Sequence, residues 1–143
     1  MDLRPITETY SVAPQLEPGD MAVLAEQGVT TVICNRPDSE NPAPLQAGAM
    51  QVAAEAAGLH VVFNPVVGGQ LTLDNVEEQA DALDAAGGPV VAYCASGTRS
   101  TVVWALGQAG RMPADDIIAR GEAHGYQLEW LRPQIEALAA QTS

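Results

Sequence analysis

Pro89-Val90-Val91-Ala92-Tyr93-Cys94-Ala95-Ser96-Gly97-Thr98-Arg99-Ser100 passes from an apolar run to four small residues, then an arginine, then a segment apolar at helical spacing through Val103, Trp104 and Leu106. That order reads as a buried strand, a tight loop and a helix. Small residues let the backbone curl so that successive N–H groups point inward and form an anion nest. Gly97 supplies any positive φ the curl requires. The helix that follows adds its positive N-terminal end to the same spot. Cys94 is therefore expected to be a thiolate, since such sites lower a thiol pKa from about 8.5 into a range of roughly 3.5 to 7.5. Arg99 can grip an oxyanion through two parallel hydrogen bonds, which a lysine cannot. A lone cysteine after a strand is more ordinarily a small buried hydrophobe. Cysteine, glycine and arginine together at this spacing point instead to a nucleophile in an anion site, with Ala95, Ser96, Gly97, Thr98 and Ser100 as the anion-binding residues.

Outward from this segment, strand and helix patterns alternate. Residues 6–12 hold the β formers Ile6, Tyr10 and Val12 and suggest one or two short strands. A helix is expected over 18–28, opened by Pro18 and ended by Gly28. The β-branched run 29–34 reads as a buried strand, followed by a polar, proline-punctuated loop over 35–42. An alanine-rich helix over 44–57 leads to a further buried strand at 59–63. Thr72 is placed to cap a helix over 74–86. Helices over 113–123 and 127–139 close the chain, with Pro133 breaking or restarting the second. Strands alternating with helices of this length predict one α/β domain, a parallel-rich central sheet flanked by helices. Ligands of such sheets bind at the carboxyl ends of the strands, where residues 94–99 lie.

The chain has 143 residues, 47% hydrophobic and 17% charged. That length suits one domain with a sizeable core. Eighteen acidic residues face six basic ones, all arginine, for a formal net charge of -12. A phosphate backbone would be repelled, so nucleic acid is not an expected partner. No apolar run approaches the roughly 20 residues of a membrane span, and the first residues lack a signal-peptide pattern. No membrane association and a cytoplasmic location are the expectation. Cys34 and Cys94 are too few for a disulfide scaffold or a zinc site, and His60 and His124 lack metal-ligand spacing. No metal or cofactor is expected.

Cys94-Ala95-Ser96-Gly97-Thr98-Arg99 resembles the Cys-x-x-Gly-x-Arg loop of rhodanese-type sulfurtransferases. It also resembles, one residue short, the Cys-x5-Arg loop of protein tyrosine and dual-specificity phosphatases. Thr31-Val32-Ile33-Cys34-Asn35-Arg36-Pro37-Asp38-Ser39-Glu40 and Tyr10-Ser11-Val12-Ala13-Pro14-Gln15 are similar to early segments of the dual-specificity phosphatase fold. Nearly the whole chain thereby resembles the bacterial phosphatase-like domain of beta-lactamase-hydrolase-like proteins. That resemblance implies a protein tyrosine/dual-specificity phosphatase-like fold with Cys94 as nucleophile, and leaves the reaction open.

Three features favour sulfur chemistry. Losing one residue shortens the loop contour by about 3.5 Å and its diameter by roughly 1 Å, a ring better matched to one terminal sulfur than to a phosphoryl group. Phosphatases of this fold carry an aspartate on the loop after the preceding strand, where expulsion of an alkoxide calls for a proton donor. Residues 64–71 contain no acid, and Asp74 reads as a helix-start residue. Tyr93 also replaces the histidine of the phosphatase motif. Sulfur transfer expels sulfite or a low-pKa thiolate without a donor. The leading expectation is a sulfurtransferase passing sulfane sulfur from thiosulfate or a persulfide, through a Cys94 persulfide, to a thiol acceptor such as glutathione, with a persulfide-handling enzyme as a partner. The alternative is a cysteine-based phosphatase acting through a phosphocysteine, and a third reading is a module that senses oxyanions or persulfides. Arg36 either lines the same pocket, is a solvated loop arginine, or pairs with Asp38. Cys34 is either a resolving thiol for Cys94 or a buried inert one. Trp104, Tyr126 and Trp130 are expected to be core or helix-packing residues.

Overall fold

The computed structural model describes residues 1–142. Five strands form one sheet in the order β1-β2-β5-β3-β4: β1 (Arg4–Pro5), β2 (Tyr10–Ala13), β3 (Thr31–Cys34), β4 (His60–Phe63) and β5 (Val90–Tyr93). β2, β5, β3 and β4 run parallel, and only β1 pairs antiparallel, with β2. The apolar run read as decisive is thus the middle strand. All four of its residues are buried, as are those of β3 beside it. β4, expected to be buried, lies at the sheet edge, and His60 and Phe63 are exposed there because nothing pairs beyond it.

Six helices cover the two faces, and strand alternation decides which side chains meet which helices. Ile33, Val90 and Ala92 join a cluster with α3 (Leu73–Ala85), α4 (Thr98–Gly107), α5 (Ala114–Glu122) and α6 (Arg132–Thr142). Val32, Cys34, Val91 and Tyr93 pack on the other side against Met21 and Leu24 of α1 (Asp20–Glu26) and Met50 and Ala54 of α2 (Ala47–Ala56). The helices are shorter than the sequence pattern suggests where proline intervenes. Residues before α2 form a 3-10 turn at Ala43–Leu45, and Pro133 lies in the first turn of α6, where its missing N–H costs nothing. Thr72 does cap α3, accepting from the Asn75 amide while Asn75 answers with its own side chain. Trp104 is buried and stacks on Tyr10 with ring centroids 6.1 Å apart. Trp130 departs from expectation: it is 62% exposed, because its turn at Glu129–Leu131 buries Leu131 instead. No helix among the described residues is long and apolar enough to cross a membrane.

Candidate active site

β5 ends at Tyr93, and the chain turns into α4 within four residues. Gly97 makes the turn possible: it is the residue before α4 and has φ +91°, a left-handed value that only glycine adopts at little cost. A Cβ at this position would also strike the Tyr126 hydroxyl. The loop is held at its shoulders by neighbouring strand ends. Gln15 donates its amide to the Ala95 carbonyl at 3.3 Å, and Asn35 donates to Tyr93 O at 2.8 Å. Tyr126 donates from its hydroxyl to Ser96 O at 3.0 Å.

Cys94 is buried at the floor of this loop, and the Gly97 N–H donates to its Sγ at 3.1 Å. The other loop amides are unspent. Among the described residues, the backbone N–H groups of Ala95, Ser96, Thr98, Arg99 and Ser100 find no acceptor in the protein. Those of Thr98, Arg99 and Ser100 are the first-turn donors that any helix leaves unpaired. Ala95, Ser96 and Thr98 form an exposed rim, with the Ser96 and Thr98 hydroxyls 2.9 Å apart.

Arg99 is oriented by two groups far away in sequence. Nη1 donates to Glu40 Oε2 and Nη2 to Glu40 Oε1, both at 2.8 Å, and Nη1 also reaches Val66 O at 2.8 Å. A fork-to-fork pair of this kind fixes the guanidinium plane. The Glu40 contact, more than the nearby Cys94 sulfur, keeps Arg99 firmly charged, and Arg99 in turn holds the Glu40 carboxyl below the usual carboxylate range. Arg36 supports the same carboxylate from behind, with Nε 3.2 Å from Oε1 and Nη2 on the Glu40 carbonyl. The expected Arg36–Asp38 pair is therefore replaced: Asp38 instead accepts the Ala47 N–H at 2.7 Å at the start of α2. Arg36 thus braces the carboxylate that orients Arg99.

Ser100 also changes role. It is fully buried and its hydroxyl donates to Asn35 Oδ1 at 2.9 Å, under the loop, so only its backbone amide remains for an anion. Asn35 belongs to a closed set of buried side chains. Gln79 donates to Tyr10 Oη and Asn35 Oδ1 and accepts from Asn35 and Asn64; Asn64 exchanges hydrogen bonds with Asn75. Tyr10 Oη donates in turn to Ser100 O at 2.8 Å. None of these residues carried a recognisable motif. Their only sequence signal is a polar residue directly after each of β3 and β4, and a glutamine on the buried face of α3.

Cys34 is not bonded to Cys94 in this structure. Its register partner is Tyr93, so it shares the face of α1 and α2, while the next position along β5 turns the other way. Its thiol donates to Arg36 O at 3.4 Å, and burial pushes its pKa up. Cys34 is buried, and both cysteines are free.

Residues 2–111, most of the chain and all of the Cys94 loop, match the family described as Beta-lactamase hydrolase-like protein, phosphatase-like domain. The chain belongs to that family. A Beta-lactamase hydrolase-like protein of Xylella fastidiosa is 34% identical over 140 residues, covering 94% of this chain but 32% of the relative. The chain thus spans about a third of the length of the curated relatives it matches. Among solved structures, a candidate phosphatase from Neisseria meningitidis superposes with a TM-score of 0.82 at 32% identity, covering 96% of this chain and 99% of that one. PTPMT1, at 19% identity, covers 99% and 98% with a TM-score of 0.74 and shares the fold. The architecture is that of the protein tyrosine and dual-specificity phosphatases, as the resemblance implied. The family match ends at residue 111, whereas Tyr126, which braces the loop, lies beyond it.

Proposed function

We propose that this phosphatase-like domain is a cysteine-dependent phosphatase, with Cys94 as nucleophile and Arg99 as the oxyanion clamp. The observation that carries this reading is the set of unspent amides on Ala95, Ser96, Thr98, Arg99 and Ser100 around one sulfur. A single terminal sulfur atom needs few donors. Three phosphoryl oxygens need many, and pre-aimed donors are most effective where negative charge grows in the transition state. Family membership and the Neisseria meningitidis relative support the same reading. It reverses the order reached from the sequence, where loop length and the missing acid placed sulfur transfer first.

In the first step the Cys94 thiolate attacks phosphorus, the S–P bond forms and the P–O bond to the leaving group breaks. Residues 64–71 offer no acid, and the nearest loop acid, Glu40, is held by Arg99 and Arg36, so the leaving oxygen takes its proton from water. In the second step water attacks phosphorus, the S–P bond breaks, and inorganic phosphate and the thiolate are released with one proton passed to solvent. The loop amides and Arg99 hold the equatorial oxygens in both steps.

The test is turnover of an aryl phosphate with intact-protein mass spectrometry during the reaction. A phosphorylated enzyme and loss of at least about 1,000-fold in rate for Cys94→Ser are expected, as for removal of a nucleophile elsewhere. The missing acid favours sulfur transfer as the second reading. Thiocyanate formed from thiosulfate and cyanide, without aryl phosphate turnover, would put that reading first.

A further inference from the structure

A cleft of about 400 Å³ opens beside the Cys94 loop, between the segment after β4 and the start of α6. Thr98 and Arg99 form its inner end, and Val67, Leu71, Val102 and Trp130 its walls. Beyond Leu71 and Gln134 it continues into a second apolar cleft of about 270 Å³ bounded by Leu73 and Leu138. Among the described residues, neither cleft is lined by an aspartate or glutamate, although the chain carries eighteen. The cation at the inner end is Arg99. One end therefore suits an anion and the rest suits hydrocarbon.

The walls are also fixed and uncovered. Trp130 is 62% exposed, yet its indole N–H is tied to Gln127 O at 2.8 Å, so the ring offers the track only apolar surface. Val67 on the first cleft and Leu73 on the second are exposed as well. Apolar side chains left uncovered in a row next to an anion site mark a ligand groove more often than a bare surface.

We propose that the substrate is an amphiphilic phosphate ester whose apolar arm, an extended chain longer than a single small ring, lies along the track from Arg99 past Trp130 towards Leu73. This deepens the phosphatase reading and rests on it, since the arm is oriented by an anionic head in the Cys94 loop. Trp130 and Val67 are the specificity-determining residues.

Non-hydrolysable alkylphosphonates separate binding from turnover. Calorimetric titration with inorganic phosphate, then methyl-, butyl- and octylphosphonate below its self-association concentration, should give affinities rising about twofold to fourfold per methylene buried. The rise should flatten once the chain passes Leu73. Trp130→Ala should lower the octylphosphonate-to-phosphate affinity ratio at least fivefold, with Trp130→Phe restoring most of it. Val67→Glu, which places a charge at an exposed position, should lower the ratio as well. Affinity independent of chain length, with phosphate still bound, overturns the track and leaves the anion site standing. A chain-length gain unchanged in both Trp130→Ala and Val67→Glu overturns it too. Failure of every probe, inorganic phosphate included, removes the phosphatase reading and the track with it.

Discussion

The upper and lower sides of the Cys94 loop differ in one respect that sets their roles. Above, the amides of Ala95, Ser96, Thr98, Arg99 and Ser100 have no acceptor among the described residues. Below, Asn35, Asn64, Gln79, Ser100 and Tyr10 pair every polar side-chain atom with another. Unspent donors are costly in a folded protein unless water or a ligand reaches them, and a closed buried network is rigid because each member fixes the next. The lower set thus holds still the donors of the upper set. A loop with so few residues and a left-handed glycine keeps its curl because its floor cannot relax. Preorganisation of this kind is what lets backbone amides stabilise charge without reorienting during the reaction.

The largest effect expected from the upper side comes from Arg99→Lys. The charge stays, but the fork and its pairing with Glu40 and Val66 O are lost, and kcat/KM for an aryl phosphate should fall about 100-fold. A loss under fivefold would mean the clamp is not used in the transition state. Next, Gln79→Leu strikes the lower side, taking a hydrogen-bond partner from each of Tyr10, Asn35 and Asn64 inside the buried set. Urea denaturation should show about 2 to 3 kcal/mol lost, and kcat should drop with little change in KM, since the floor positions donors that act in the transition state. Stability lost without any change in kcat would break the link between the two sides.

The smallest effect concerns pH. Arg99 holds the Glu40 carboxyl below its usual value, so this ion pair adds stability that is fully present above the unfolded carboxyl pKa of about 4.3. That contribution disappears as pH falls through the lower folded value. Glu40→Gln should therefore be less stable than the parent near neutral pH, with the difference shrinking in acid below about pH 4. Chemical denaturation at a series of pH values checks this, and a difference that grows in acid would contradict the pairing.

Much of the fold could be read directly. The β-branched and apolar runs at 29–34 and 89–93 became adjacent central strands, because strands buried on both faces carry continuous apolar sequence. β4 misled for the same reason: His60-Val61-Val62-Phe63 looks buried, and nothing local reveals that no strand lies beyond it. Helix starts were blurred by Pro37, Pro42 and Pro44, which end in 3-10 turns before α2. In the site, Cys94, Gly97 and Arg99 announced themselves by proximity in the chain. Glu40 did not, although it lies four residues after Arg36, because an acid in a polar loop looks like any solvated charge. Trp130 carried the wrong expectation, as a large aromatic is buried more often than not.

From composition, periodicity and one short loop, the chain alone determined a parallel-rich α/β sheet, its two buried strands at 29–34 and 89–93 and the tight turn that carries Cys94, since each is written in residues that are neighbours along the backbone. Which acid would grip Arg99, that Ser100 would face downward, and that Trp130 would stand open beside the anion site were decided only in three dimensions. Those choices depend on which strand ends and helix starts arrive side by side, and residues 31 to 65 positions apart carry no local mark of their meeting.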